Sequence, residues 1–289
     1  MTMENADMAP AQLSPVGRVE KILLPTDGSK YSTGAEKIAI ELCVQHEAKL
    51  HVISAIIRYT ETGFMGPQAD EEVEKKAAAH LADVERRALE AGVEVTVDLL
   101  EGDDPYEVIV DTARSFAADL IIMGRRGRRG LARLMLGDAT AKVIGHAPCG
   151  VLVVPEEAEM WKSMVLATDG SRYSDAAAVT AAELAKPTGS LIGVLSVKVP
   201  SHSERRQNEA RPIVERVVDF LGQQGLRAEG IVAEGVADET IIRVAQERNA
   251  CLIVLGSFGR TGIGQILFGS KAERVINASK GSVLVVRGG

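Results

Sequence analysis

Aromatic side chains make up only 3% of the 289 residues, and positive charge is not in surplus: 33 Lys and Arg stand against 40 Asp and Glu, a net charge of −7. A general polyanion surface needs clustered Lys and Arg, and a single-strand platform needs stacked rings, so no nucleic-acid partner is expected. No run reaches the roughly 18 uninterrupted apolar residues of a membrane span. The first basic residue is Arg18, so no signal peptide is expected and the chain reads as cytoplasmic. Three cysteines, Cys43, Cys149 and Cys251, lie far apart without CxxC spacing, which fits small buried residues in a reducing compartment better than disulfides or zinc. Five histidines, His46, His51, His80, His146 and His202, form no HxxxH pair, so no protein-ligated metal is expected.

What is present is an ordinary globular composition, 46% hydrophobic and 25% charged, in a chain long enough for two domains. It also repeats itself. Thr26-Asp27-Gly28-Ser29-Lys30-Tyr31-Ser32 returns as Thr168-Asp169-Gly170-Ser171-Arg172-Tyr173-Ser174. Leu120 to Gly124 is matched by Leu252 to Gly256, and Val151–Val154 by Val283–Val286. The offset falls from 142 residues at the first pair to 132 at the others, which puts about ten extra residues in the first repeat, within Arg58 to Gln68.

Each repeat alternates β-rich runs with amphipathic stretches, the pattern of a parallel sheet flanked by helices. The first repeat predicts strands near 20–25, 48–54, 93–100, 119–124 and 150–154, with helices near 30–46, 69–91, 104–117 and 138–146. The second predicts strands near 163–168, 190–197, 226–233, 251–256 and 282–287, with helices near 174–186, 204–224, 238–249 and 271–279. The expected fold class is α/β: two tandem doubly wound domains, each a five-stranded parallel sheet. The division is a disordered arm over 1–18, domains over 19–155 and 163–289, and an acidic linker over 156–162. Val151–Val154 and Val283–Val286 are apolar on both faces although each ends its repeat, so the two terminal strands are expected to pair within the chain about a pseudo-twofold axis. A homodimer is left open.

After the fourth strand the first repeat reads Gly124-Arg-Arg-Gly127, nine residues, then Gly137-Asp138-Ala139-Thr140; the second reads Gly256-Ser-Phe-Gly259, nine residues, then Gly269-Ser270-Lys271-Ala272. Such a loop lets backbone approach a ligand and leads into the amino end of a helix, where free N–H groups attract anions, phosphate foremost. The reversal of strand order in a doubly wound sheet independently places a ligand beyond the carboxyl ends of strands one and four. Asp27 and Asp169 end the first strands and would stand at that crevice.

With these motifs the chain resembles the universal stress proteins, whose ATP-binding members carry G-x2-G-x9-G-[S/T] between strand four and helix four. The resemblance covers about residues 19–288 as a tandem pair. Gly256, Gly259, Gly269 and Ser270 match in full, whereas the first repeat has Asp138 at the Ser/Thr position. Both repeats keep the strand-one Asp, and Ala118 to Gly124 is typical of the family. The resemblance implies an adenine nucleotide alpha hydrolase-like fold and an adenine nucleotide as ligand, ATP with Mg2+. It places Asp27 and Asp169 beside the adenosine, the backbone of Val52 and Val194 on the adenine, Gly124, Gly127, Gly256 and Gly259 along ribose and phosphates, and Ser270 on the outer phosphates. The implied sites comprise Ala167, Thr168, Asp169, Val194, Leu255, Gly256, Gly259, Gly269, Ser270, Lys271 and Ala272 in the second repeat. In the first they comprise Pro25, Thr26, Asp27, Val52, Met123, Gly124, Gly127, Gly137, Asp138, Ala139 and Thr140. Repeat two has Ala272 where the family often has a hydroxyl and repeat one keeps Thr140; it also has Ala167 against Pro25.

Other readings stand beside this one. The glycine loops could be tight turns needed only for packing, and Asp27 and Asp169 could be helix caps. An ionised Asp138 facing a triphosphate is repulsive, about 3 kcal/mol per unit pair at 5 Å and an effective dielectric near 20. Arg125, Arg126, Arg128, Arg129 and Arg133 could neutralise it, bind another anion or form a solvated patch. Gly264 to Lys271 reads GxxxxGSK, with Ser and Lys reversed from the phosphate-loop order, and is rejected as a Walker loop. Ser29 and Ser171 lack a GxSxG elbow and a nearby histidine, so a hydrolase nucleophile is not expected. Three classes remain: a stress protein in which bound ATP alters association with partners; a slow adenine-nucleotide hydrolase, disfavoured because TDGSKYS and TDGSRYS lack the glycine pair of the pyrophosphatase loop; and a tandem interaction module without nucleotide.

Overall fold

Ile22-Leu23-Leu24 and Leu120 to Met123 carry no polar residue on either face, which suits a strand covered on both sides and forbids a solvated one. In the computed structural model, which describes residues 19–57, 67–125, 136–260 and 268–287, these runs are central strands. The first repeat folds as β1 (Lys21–Pro25), α1 (Thr33–His46), β2 (Lys49–Ile57), α2 (Pro67–Glu90), β3 (Val95–Gly102), α3 (Pro105–Phe116), β4 (Leu120–Gly124), α4 (Asp138–His146) and β5 (Gly150–Val154). The second folds as β6 (Ser163–Ala167), α5 (Arg172–Ala185), β7 (Leu191–Lys198), α6 (Glu204–Asn208), α7 (Ala210–Gln223), β8 (Ala228–Glu234), α8 (Ala237–Glu247), β9 (Leu252–Gly256), α9 (Ser270–Ala278) and β10 (Ser282–Val286). The arm over 1–18, the extra residues over 58–66 and much of both glycine loops lie outside the described residues.

The strand order is β3-β2-β1-β4-β5-β10-β9-β6-β7-β8. Pairing is parallel within each half, and β5 meets β10 antiparallel with Val151 opposite Val285, Leu152 opposite Leu284 and Val153 opposite Val283. Order reverses beside β1 and β4 in one half and beside β6 and β9 in the other, which opens a crevice at their carboxyl ends. Side chains alternate between two apolar layers: Leu24, Ile122, Leu152 and Leu284 in one, Leu23, Ile121, Val153 and Val285 in the other. Both layers run through the β5–β10 seam, so the two halves share their core.

The second half departs from the expected elements at one helix. One helix was expected over 204–224, but α6 ends at Asn208 and α7 starts at Ala210. Pro212 has no N–H to give the carbonyl four residues back, and its ring crowds the preceding turn. The acidic linker 156–162 packs against the fold: Trp161 is 1% exposed, and Ala158 and Met160 pack on the core. It crosses α1 at Gly34, where a Cβ would stand 2.0 Å from the Pro155 carbonyl oxygen and 2.8 Å from that of Glu156.

Polar bonds also tie the halves. Arg125, at the end of β4, donates from Nη1 to the Ser279 carbonyl and from Nη2 to that of Gly281, each at 2.8 Å. The Leu136 N–H donates to Asn277 Oδ1 at 2.7 Å, and Arg287 donates to the Gly145 carbonyl at 2.7 Å. Beneath α1, Glu36 is buried and accepts from Arg87 at 2.6 Å and Thr26 at 2.8 Å, with His80 Nε2 at 2.7 Å. Burial raises the Glu36 carboxyl, but the bonds from His80, Arg87 and Thr26 outweigh it and hold the group below its ordinary range. The bond to Glu36 chiefly raises His80, against burial and the Arg87 charge, with Asp83 adding a smaller lift.

Two outcomes are expected. Gly34→Val should displace the linker and destabilise the fold by about 1–3 kcal/mol, read as a lowered Tm; an unchanged Tm would show that the linker yields freely. Glu36 contributes stability above its unfolded value of about 4.3, lost as pH falls through its lower folded value; His80 contributes below about 6.5, lost as pH rises through its higher folded value. Stability from this pair should therefore peak between those limits, and His80→Gln should flatten the alkaline decline while keeping the acid one. An identical alkaline slope in the variant would remove His80 from the account.

Candidate functional site

The repeated heptapeptide builds the same turn twice. The Ser171 N–H donates to Asp169 Oδ1 at 3.0 Å, Gly170 takes φ +75°, and the Ser174 hydroxyl returns to the Ser171 carbonyl at 2.9 Å. In the first half the Ser29 N–H donates to Asp27 Oδ1 at 3.0 Å, Gly28 takes φ +65°, and the Ser32 hydroxyl reaches the Ser29 carbonyl at 2.8 Å. A left-handed residue between two local side-chain bonds explains why Asp, Gly and Ser recur at fixed spacing. Ser171, not Asp169, caps α5, accepting from the Ser174 N–H at 3.3 Å. Asp169 holds the glycine loop as well: its Oδ2 accepts the Arg260 N–H at 2.9 Å.

At the β6–β9 crevice this turn and the second glycine loop enclose a cavity of about 320 Å³. Ala167, Thr168, Asp169, Leu255, Gly256, Gly259, Gly269, Ser270, Lys271 and Ala272 all line it. Val194 does not. It is fully buried in the apolar layer on the other face of the sheet, like Val52 in the first half, whereas Leu195, Ser196 and Val197 beyond it reach the cavity. Successive residues of a strand point to opposite faces, and the contact implied for Val52 and Val194 is through the backbone, which the side-chain face does not decide.

Sequence reasoning missed four wall residues of consequence: Ser257, His202, Arg206 and Arg260. Ser257 is 1% exposed and its hydroxyl has no hydrogen-bond partner among the described residues. Arg260 pairs with Glu209, and Glu209 is held below its ordinary value first by that bond. His202 is lowered by burial, then by the charges of Arg206, Lys271 and Arg260, against a lift from Asp169. The position of Arg260 beside Gly259 is a visible signal; that of His202 and Arg206 depends on how α6 folds back. Gly256 has a second duty, since a Cβ there would lie 2.7 Å from the Tyr173 backbone, so part of the glycine pattern serves packing. The cavity, rather than the pattern alone, marks a binding place.

The first half brings together less that can be described. Gly127 and residues 126–135 lie outside the described residues, with Arg126, Arg128, Arg129 and Arg133 among them. Pro25, Thr26 and Asp27 end β1, Met123 and Gly124 end β4, and Gly137 caps α4 ahead of Asp138, Ala139 and Thr140. Asp138 is exposed and pairs with Lys142 at 3.1 Å, which also pairs with Asp104 at 2.9 Å. Both carboxylates push the Lys142 amine up. Arg125 gives its two terminal nitrogens to carbonyls of the other half. The Thr140 hydroxyl donates to the Gly124 carbonyl at 3.3 Å, so it steadies β4 rather than facing a phosphate. Among the described residues no group of three or more His, Cys, Asp or Glu is set to hold a metal ion, and no helix is long and apolar enough to cross a membrane.

The sequence pattern of the universal stress protein family matches residues 18–155 and again 160–287. A universal stress protein of Methanocaldococcus jannaschii is 36% identical over 142 residues, covering 47% of this chain and 81% of its own. A solved universal stress protein of Archaeoglobus fulgidus, 23% identical, aligns with a TM-score of 0.77 over 94% of this chain and 100% of its own. A universal stress protein solved in complex with cAMP is 26% identical, with a TM-score of 0.39 over 48% of this chain and 98% of its own. Two successive matches over nearly all of the folded sequence place the chain in the universal stress protein family, with that domain carried twice in tandem.

Proposed function

We propose that the chain is a nucleotide-responsive stress module that takes an adenine nucleotide, ATP with Mg2+, in its second half, the two halves working as one unit through Val151–Val154 and Val283–Val286. The observation that carries this reading is the cavity of about 320 Å³, in which Asp169 and the Gly256, Gly259, Gly269 and Ser270 positions meet at the reversal of strand order. Its size falls at the low end of ligand pockets, which run roughly 300–1,000 Å³. Its orphaned Ser257 hydroxyl is a buried donor that a ligand oxygen would satisfy. Residues Ala167, Leu255 and Ala272 offer apolar wall, and the amino end of α9 at Ser270 offers free N–H groups to phosphate. Magnesium would ride on the phosphates and their waters, which is its usual manner with nucleotides.

The halves should differ. Ser270 presents a neutral donor at the head of α9, whereas Asp138 presents a negative charge at the head of α4, and Lys142 is shared with Asp104. Losing a charge-assisted bond costs roughly 1.5–3 kcal/mol, a factor of about ten or more in affinity. Calorimetric titration with Mg-ATP should show Ser270→Asp weakening the second site by at least that factor and Asp138→Ser strengthening or creating the first. Two equal sites in the wild type, or weaker binding in Asp138→Ser, would show that Asp138 belongs to a working site.

Turnover is expected to be slow. Asp27 and Asp169 each give Oδ1 to the turn that they build, and no motif positions a base on water. His202 lines the cavity, so hydrolysis is tested with His202→Ala. Steady phosphate release near about 10 per second, abolished in that variant, would make the chain an enzyme and overturn the module reading. Mass analysis of ligand released from the purified protein separates ATP, AMP, cAMP and the absence of any nucleotide.

A further inference from the structure

Beside the second cavity, the chain between β7 and α7 doubles back. The His202 N–H donates to the Val199 carbonyl at 2.9 Å, Gln207 Nε2 donates to the His202 carbonyl at 2.8 Å, and Ser203 caps α6 by accepting the Arg206 N–H at 3.4 Å. The ion pair of Glu209 with Arg260 then ties the end of α6 to the glycine loop. These bonds fix α6 so that His202, Arg206 and Gln207 turn into the cavity while Glu204, Arg205 and Asn208 stay exposed.

The charges that result are unusual for a chain of net charge −7. Arg206 and Lys271 line one cavity from opposite elements, α6 and α9, and neither head group has a hydrogen bond or ion pair with any described residue. Arg205, one residue away, is 89% exposed and spends its charge on Glu209. Arg206 is half-buried and Lys271 exposed, and the acidic groups that act on them, Glu209 on Arg206 and Asp238 on Lys271, do so through space without a direct ion pair, so both head groups are left to take an anion supplied from outside. The buried, partnerless Ser257 hydroxyl and the buried Arg260 Nε, also without a partner, face the same space.

We propose that Arg206 and Lys271 form a clamp across this cavity that selects ligands by the number of their phosphates, favouring a polyphosphate chain over a monophosphate. The inference rests on the nucleotide reading of the same cavity and adds to it a determinant that the glycine motif does not contain. Arg206 lies outside the G-x2-G-x9-G-S segment, and the residues at the comparable place of the first half, 58–66, lie outside the described ones. A guanidinium fork matches two phosphate oxygens at once, so its effect should grow with the phosphates beyond the one held at α9.

The test uses the full chain, with binding followed at the backbone amides of Ser257 and Ser270 so that this cavity alone is read. ATP, ADP, AMP and inorganic tripolyphosphate are titrated into the wild type, Arg206→Gln and Arg206→Lys, and unaltered melting temperatures certify the folds. Arg206→Gln should weaken ATP and tripolyphosphate by about tenfold to a hundredfold and leave AMP within about twofold, with Arg206→Lys intermediate. Equal losses for ATP and AMP, or no loss for either, would overturn the clamp while leaving nucleotide binding intact. Arg206-dependent binding of tripolyphosphate without any gain from adenosine would instead uphold the clamp and refute the adenine reading; a wild type that binds none of the four refutes both.

Discussion

Val151 lies opposite Val285, Leu152 opposite Leu284 and Val153 opposite Val283, and all six side chains are buried. Fully burying a Val or Leu is worth roughly 1.5–3 kcal/mol, and the pairing closes the strand edge that each half would otherwise leave open. The antiparallel pairing also sets direction. Because strands run parallel within each half and oppose one another across the seam, the two crevices open at opposite ends of the sheet. The carboxyl end of α9 therefore arrives at the first glycine loop, where Arg125 and the Leu136 N–H meet Ser279, Gly281 and Asn277. The amino end of the same helix, at Ser270, lines the second cavity. One helix of nine residues thus touches both candidate sites.

Within this symmetric frame the polar chemistry has diverged. A Thr follows the first strand of each half, and its hydroxyl reaches the Ser of its turn, at 3.0 Å from Thr26 to Ser32 and 3.2 Å from Thr168 to Ser174. Behind that shared bond the first half buries Glu36 with Arg87 and His80, and the second buries Asp175 with Arg216 at 2.6 Å. His80 leans on Gly28, and Ile213 leans on Gly170. An imidazole thus stands against the first turn, whereas an apolar side chain and the Arg260 guanidinium stand against the second. The cross-half arginines are likewise unequal: Arg125 ends β4, but Ser257 stands at the corresponding end of β9 with its hydroxyl unspent.

The sheet was readable from sequence because its signals are local. Apolar runs of about five residues mark covered strands, and Gly, Asp and Ser at fixed spacing mark a turn whose bonds span two or three residues. The five-stranded halves and the repeat follow from such signals, whereas the second-half site positions come from the family resemblance, and ten of those eleven line the cavity. Val52 and Val194 are implied as backbone contacts, and their side chains lie in the buried layer on the other face of the sheet. The linker's acidic residues gave no sign of how it packs, which Trp161 decides with Ala158 and Met160 beside it. The break before Ala210 was announced by Pro212, whose missing N–H was outweighed by the surrounding helical pattern.

Arg206 shows a different limit. Nothing in its neighbourhood distinguishes it from Arg205, since both belong to a charged segment that reads as a solvated helix face. What separates them is a chain of contacts distant in sequence: the cap at Ser203, the return of Gln207 to the His202 carbonyl, and the tie from Glu209 to Arg260, which Asp169 in turn fixes through its backbone N–H. Asp169 therefore acts on the cavity twice, first by shaping the turn at the end of β6 and then by holding the loop residue that anchors α6. A residue suggested by its motif as a ligand contact is also the origin of the framework that places unpaired positive charge opposite α9, so the motif constrains the site's electrostatics even at residues it does not include.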